Sequence, residues 1–566
     1  MLPEKFNPPQ HERMDEQNTG INALGETIER APYFAFLREL ATECPTSEAY
    51  LVGGIVRDAI LGREAKDYDF VVRGVPATKL EKFLASRGTV NLVGRTFGVF
   101  KFRPHDWPAE NEDIDIALPR TEHAEGTGGY RDFDVQADPS LAIADDLSRR
   151  DFTINAMAWD TQQHCLIDPF HGRNDIEVKT IRAVGNPHER FTEDRSRILR
   201  ALRFACQLGP TKLPDGSSGG LGFTIDPTTM VAIRKHMATI NEQRSARKVH
   251  DQTTLIRDVE YITPREIIAR EIIKSFDADP VRALDLWDEA GAFDALIPEL
   301  RAMKNCPQPP EFHSEGDVWQ HTRLALTKLR SVEYGHELGD DKPSALVTIG
   351  ILLHDIGKPL TLKTPERDKT DRIRFDGHDR IGGELARAIA HRLALASPFP
   401  KNHRLHINPD DLGWIVDHHL LLLQNPTDMR NATIERYFFD PNVPGEALQR
   451  LAFCDGSAAI PAGASECPDL ANWRALRVRI SEIAALVEER NRLPRPVLDG
   501  RQIMERLKLK PGPQIGQLIE ALREEQLTRL QRGETMTEEE ACAFLAPLVG
   551  KHQIPNHKSQ TNPKSE

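Results

Sequence analysis

Short runs in which apolar residues dominate or alternate with polar ones mark the first ordered third of the chain. Tyr50-Leu51-Val52 running into Gly53-Gly54, Tyr68 to Val72, Phe97 to Phe102 and Asp113 to Leu118 each read as strands. Helix-like stretches alternate with them, and a short helix is predicted over Tyr33–Glu43. The pattern predicts an α/β unit over residues 31–188. The period then lengthens to that of helices, as in EDRSRILRALRFACQL and DPVRALDLWDEAGAFDALI, so residues 189–304 read as an all-α neck and body. A loop, Gly209–Gly222, interrupts it. The Pro-rich NCPQPPEF closes this region, and residues 312–460 are helical and rich in His. A second break begins at Pro461, and residues 465–550 are again helical, with a Pro/Gly interruption at KPGPQIG. Residues 1–30 and 551–566 read as disordered tails.

A chain of 566 residues is too long for one core. No apolar run approaches the length of a membrane span, and the polar N-terminus lacks the apolar stretch of a secretory signal. Seven Cys without a CxxC pair read as free thiols, so a cytoplasmic location is expected. A formal net charge of −13 argues against a protein that coats long nucleic acid. RNA binding would have to use local Arg/Lys patches, which suits a small, shaped RNA. No DNA or membrane partner is expected.

Chemistry gathers first around LVGGIVRD, Leu51–Asp58. Gly53 and Gly54 between a strand and a helix let backbone approach a phosphate closely. Next, Asp67 and Asp69 share one face of an extended segment. Like charges so placed call for a cation between them. Asp113 and Asp115 repeat the spacing on a neighbouring strand. Three carboxylates can hold two divalent ions, and oxygen-only ligands suit Mg²⁺.

GGIVRD, then DYD, then RRDFTINAMA, DPFHGRNDI and EDRSRILRALRF, in that order, resemble the bacterial class II tRNA nucleotidyltransferase and poly(A) polymerase family. The resemblance is continuous over about residues 50–205 and weaker to about 300. It implies a polymerase-β-like nucleotidyltransferase head. It places the catalytic metal carboxylates at Asp67, Asp69 and, by the register of IDIALPR, Asp115 rather than Asp113. It implies nucleotide-binding roles for Gly53, Gly54, Arg57, Asp58, Arg149, Arg150, Asp151, Asn155, Glu193, Asp194, Arg197 and Arg200.

Asp194 and Arg197 are three apart on a predicted helix and share a face. Cytosine and adenine both present an exocyclic amino donor beside a ring-nitrogen acceptor. An Asp accepts from the first and an Arg donates to the second. Uracil and guanine reverse both contacts, which leaves buried groups unpaired at about 1–3 kcal/mol each. In the resembling family this EDxxR segment templates the base, with Glu193 orienting the Arg.

The His-rich region carries His321, His354-Asp355 in LLHDIGK, and Asp455, an ordered H…HD…D set that resembles the HD phosphohydrolase superfamily. Those four positions are the implied ligands of one metal. His378, His418 and His419 are candidates for a second, as in binuclear members. Imidazole and carboxylate together suit Mn, Fe or Ni.

The expected activity is template-independent addition of C, C and A to the tRNA 3′ end from CTP and ATP. A phosphatase or 2′,3′-cyclic phosphodiesterase activity would reside in the HD domain. The motifs leave two alternatives open. One is an A-only enzyme, either a poly(A) polymerase or an A-adding partner of a CC-adding enzyme. The other is an RNA-binding protein whose only activity is HD phosphohydrolysis. The C-terminal helices carry no catalytic constellation, and contact with tRNA or homodimer formation is the role expected of them.

Overall fold

Among the described residues, the N-terminal region of the computed structural model contains strands Glu48–Val52 (β1), Asp69–Arg73 (β2), Gly88–Val93 (β3), Val99–Pro104 (β4), Ile114–Ala117 (β5), Arg120–Ala124 (β6), Phe133–Ala137 (β7), Ala158–Asp160 (β8) and Cys165–Ile167 (β9). The structure describes residues 19–63, 67–93, 99–109, 111–124, 133–209, 222–249, 255–423, 429–463, 470–492 and 495–549. Seven of the strands form one sheet in the order β3-β4-β5-β2-β1-β8-β9, while β6 and β7 pair as a separate hairpin.

The apolar run in β2 follows from its central position, because both faces of the strand are covered. Phe70 packs against Phe34 and Phe36 on one side. Val71 lies on the other, in a cluster with Tyr50, Val52, Ile143, Leu147, Ala156, Ala158 and Val184. In β4 the alternation is cleaner: Phe100 and Phe102 are buried while Lys101 and Arg103 point away from that core.

The expected tail over residues 1–30 needs correction, since Thr19–Arg30 is a helix. Ile21 and Ile28, two turns apart, are both buried and hold it to the head. Residues 1–18 and 551–566 lie outside the described residues, as does most of the expected loop Gly209–Gly222.

The neck contains helices Pro187–Glu193, Ser196–Gln207, Pro227–Met237, Arg265–Ala278 and Pro280–Glu289. It is not all-α as expected. Gln243–Val249 and Leu255–Tyr261 form an antiparallel ribbon with Arg244 opposite Glu260. Charged and apolar residues alternate at a period of two from Asp258 to Tyr261, a strand signal inside a helical region.

Helix Ala345–Leu353 is apolar along almost its whole length because other helices surround it. It ends at His354-Asp355. Helices Val318–Lys328, His378–Arg392, Pro409–Asp417 and Gly445–Ala458 pack around that end. Gly357 is needed here, since a Cβ on it would lie 2.1 Å from the carbonyl oxygen of His378.

The chain divides into two compact units, one running to Leu421 with Pro444–Leu470, the other Leu422–Val443 with the residues from Ala471 onward. Helix Asn431–Phe438, inside the stretch expected as one His-rich domain, thus groups with the C-terminal helices. The second unit has its own core, built from Leu498, Ile503, Leu518, Leu522 and Leu545 among others. Among the described residues, no helix is long and apolar enough to cross a membrane, and all six described cysteines are free.

Candidate active sites

Asp69 opens β2 and Asp115 lies in β5, and the parallel pairing of these strands sets the two residues side by side. Burial pushes the Asp69 carboxyl up to about 6, the Asp115 charge adds to this, and Arg150 opposes it. Asp115 is paired with Lys101 Nζ at 2.8 Å, from the facing position of β4. Asp67, two residues before Asp69, is exposed beside them. Asp113 is instead occupied by Arg103, at 2.7 Å. The charges of Asp115 and Asp67 both act on Asp69, a repulsion that a hard divalent cation would relieve, and the all-oxygen donor set fits such an ion.

The double-glycine turn closes over this cluster. Gly53 has φ +80°. A Cβ there would sit 3.0 Å from Arg150 Nη1 and 3.7 Å from Asp69 Oδ2. Gly54 opens the helix Gly54–Ile60, which carries Arg57 and Asp58. Arg57 donates to Asn155 Oδ1 (2.6 Å) and to Asp58. Asn155 donates in turn to Asp151 (3.0 Å), whose other oxygen accepts two hydrogen bonds from Arg200. Burial alone would raise the Asp151 carboxyl, but Arg200, Asn155 and Arg197 outweigh it and hold it at about 2. Arg149 and Arg150 both pair with Asp146, which is fully buried. Nothing in the sequence singled out Asp146 or Lys101, since one charged residue in a mixed run looks like another.

The neck brings Glu193, Asp194 and Arg197 together at the junction of two helices. Asp194 accepts from the Ser196 main-chain N–H at 2.8 Å. Arg197 pairs with Glu193 at 3.1 Å and lies 4.0 Å from Asp194. It also donates to the carbonyl of Arg149 at 2.9 Å, joining the helix to the RRDFTIN segment. Asp194 and Arg197 are both buried, unlike a surface salt bridge.

The second cluster is denser. His321 Nε2 lies 2.9 Å from Asp455 Oδ1, and His354 Nε2 lies 3.6 Å from the same oxygen. Asp355 reaches both sides. Its Oδ2 is 3.2 Å from His354 Nε2, while its Oδ1 is 3.5 Å from His378 Nε2 and 3.7 Å from His419 Nε2. Two triads result, His321–His354–Asp455 and Asp355–His378–His419, each with ligand atoms within 4.8 Å of one another.

The local backbone explains the aim of the rings. Nδ1 of His354, His378 and His419 hydrogen-bonds to the carbonyl three residues earlier, Ile351, Phe375 and Val416. Each Nε2 is therefore turned inward, buried and without a hydrogen-bond partner. Buried, orphaned imidazole nitrogens facing carboxylates fit metal ions well. Burial opposes a charge on His354, yet Asp355 and Asp455 push it up to about 10. Burial and the neighbouring His354 push His419 down to about 4. The carboxylates thus demand a positive charge at their centre.

His418 is not part of the cluster. Its Nδ1 bonds the Trp414 carbonyl and its ring stacks on Trp414 at 4.5 Å. Two partners that the ordered H…HD…D set does not include lie close by. Lys358 Nζ is 2.7 Å from Asp355 and 2.8 Å from Gln308. Glu315 accepts from His321 and His313, both at 2.7 Å. Burial would raise the Glu315 carboxyl, but those two bonds and the Ile460 N–H hold it at about 2.

Known proteins resemble both the head and the His-rich region. Residues 49–182 match the poly A polymerase head domain, and residues 318–442 match the HD domain. A CCA-adding enzyme solved in an apo form shares the fold, with a TM-score of 0.51 at 18% identity over 94% of this chain and 99% of that one. The multifunctional CCA protein of Alkalilimnicola ehrlichii is 35% identical over 347 residues, 61% of this chain and 70% of the relative. That of Stenotrophomonas maltophilia (strain K279a) is 32% identical over 408 residues, 72% of this chain and 84% of the relative. At that identity and coverage, the chain belongs to the multifunctional CCA protein family.

Proposed function

We propose that this protein adds C, C and A to the 3′ end of tRNA from CTP and ATP, in the cytoplasm, and that its HD region is a phosphohydrolase. In each addition the tRNA 3′-hydroxyl oxygen bonds to the α-phosphorus of the nucleotide. The α–β phosphoanhydride breaks, pyrophosphate leaves and the hydroxyl proton is released. Asp67, Asp69 and Asp115 would hold Mg²⁺, which when bound neutralises the triphosphate and favours the attacking oxyanion. Arg150, which lies under the Gly53 turn and beside Asp69, would hold the triphosphate. Asn155, Asp151 and Arg57 brace that pocket through their hydrogen-bond chain. Arg197, fixed by Glu193, and Asp194 would read the Watson–Crick edge shared by C and A.

The observation that carries this reading is the side-by-side register of Asp69 and Asp115 at the edge of the Gly53 turn. Transcripts of tRNA ending before CCA, or ending in CC, test it with CTP and ATP given singly and together. Full addition to the shorter transcript supports the reading. Addition to the CC-ending transcript alone makes the protein an A-adding enzyme, and failure on both removes the proposal.

In the HD region, His321, His354, Asp355 and Asp455 would hold one ion, with His378 and His419 joining Asp355 at a second. The imidazole-rich set suits Mn, Fe or Ni. Such ions, when bound, make water a nucleophile at neutral pH and offset phosphate charge. The substrate class is a phosphate monoester or a 2′,3′-cyclic phosphate. Release of phosphate from a 3′-phosphorylated RNA, or opening of a cyclic phosphate, with Mn²⁺ or Ni²⁺ checks this. Neither product with either ion would sink it.

A further inference from the structure

We infer that Glu315 is the positioning residue of the HD centre: it fixes the tautomer and aim of His321 and ties together the two helices that supply His321 and Asp455. The inference rests on the reading of His321 as a metal ligand.

Three of the four inward-facing histidines take their orientation from main-chain carbonyls. His321 does not. It is the fourth residue of helix Val318–Lys328, and the carbonyl four residues back, that of Asp317, receives the His321 main-chain N–H. The ring instead turns its Nδ1 to Glu315 Oε1 at 2.7 Å. A carboxylate can only accept there, so Nδ1 carries the hydrogen, which leaves Nε2 as the nitrogen that would give its lone pair to a metal. Nε2 faces the site, where it donates to Asp455 at 2.9 Å and lies 3.9 Å from Asp355, and a metal bound there would take the place of that proton. A carboxylate behind an imidazole orients it and raises its basicity as a ligand, and losing such a group typically weakens metal binding 10- to 100-fold.

The other Glu315 oxygen has a separate task. Oε2 accepts from the main-chain N–H of Ile460 at 3.0 Å, and Ser314 N–H donates to the Ile460 carbonyl at 2.8 Å. Ile460 lies two residues beyond helix Gly445–Ala458, which carries Asp455. One side chain thus couples the start of the His321 helix to the end of the Asp455 helix. His313 shares Oε1 at 2.7 Å and walls the carboxylate from the far side, its ring edge-on to that of His321 at 4.9 Å. Glu315 lies outside the H…HD…D set, two residues before Asp317 caps the helix.

The test is Mn²⁺ titration of the full chain by calorimetry, with H354A defining the signal that belongs to this centre. E315A is expected to weaken that component by roughly 10- to 100-fold. E315Q, which keeps an acceptor oxygen for His321 Nδ1, is expected to lose less. Both variants should retain nucleotide addition at the head, and E315Q should retain the wild-type unfolding temperature. Wild-type Mn²⁺ affinity in E315Q together with E315A overturns the inference. Should E315A not fold, an E315Q affinity equal to wild type overturns it alone. A wild-type isotherm no different from that of H354A removes the metal reading itself, and this inference with it.

Discussion

Asp69 and Asp115 stand at facing positions of two parallel strands, and the fold places their charges together. Burial first, and the neighbouring Asp115 charge second, disfavour the ionised carboxyl, which is why Asp69 is pushed up to about 6 while an unfolded Asp titrates near 3.9. The sign is that of a raised carboxyl. The cost is absent below about pH 4 and grows as the pH rises through 6. Asp69→Asn should therefore stabilise chelator-treated protein at pH 7, by up to about 3 kcal/mol, with the gain vanishing toward pH 4. The same variant should lose nucleotide addition. Urea unfolding of both proteins across this pH range checks it, and parallel stability curves would refute it.

Gly53→Ala should damage the head through geometry alone. The residue sits at φ +80°, where a Cβ is strained, and that Cβ would press on Arg150 at 3.0 Å. The backbone term costs about 1–3 kcal/mol. Displacement of Arg150 should raise KM for CTP and ATP together, with the unfolding temperature lowered by only a few degrees. Unchanged KM values would show that the turn does not shape the triphosphate pocket.

Arg197→Ala should act on choice of base. If Arg197 and Asp194 read C and A, the variant loses about 1–3 kcal/mol of discrimination, or roughly 10- to 100-fold in the kcat/KM ratio of CTP over UTP. Glu193→Gln, which leaves Arg197 in place but loosens it, should show a smaller loss in the same direction. An equal fall for all four nucleotides would assign the pair a structural role instead.

Much of the head could be read from the chain because its chemistry lies on short, contiguous motifs. The DYDFVV run places Asp69 at the mouth of a buried strand, and IDIAL does the same for Asp115. What that pattern did not contain is pairing partner and register. Lys101 reaches Asp115 only because β4 lies beside β5, and the buried Asp146 pairs with Arg149 and Arg150, which fold back to it. The ribbon Gln243–Tyr261 was hidden by the helices on either side, its strand signal being only a few residues long. The tail before residue 30 looked too polar to order, yet Ile21 and Ile28 anchor a helix there. Glu315 leaves no mark in sequence, since its role arises from a turn that brings Ile460 beside it.

His418 and His419 could not be separated by sequence, because neighbours at a helix end differ only in where the helix stops. Pro409–Asp417 ends immediately before them. His418 folds back onto Trp414, whereas His419 begins the next turn and points its Nε2 at Asp355 from 3.7 Å. The pair therefore makes a sharp control. His419→Ala should reduce the stoichiometry of bound Mn²⁺ and abolish phosphate release. His418→Ala should leave both within about twofold and cost under about 1 kcal/mol of stability, as expected of a partly exposed side chain outside the core. Neither change should touch nucleotide addition, whose groups are gathered on the sheet and neck. If His418→Ala removes metal while His419→Ala does not, the second triad has been assembled from the wrong histidine, and the bridging role of Asp355 falls with it.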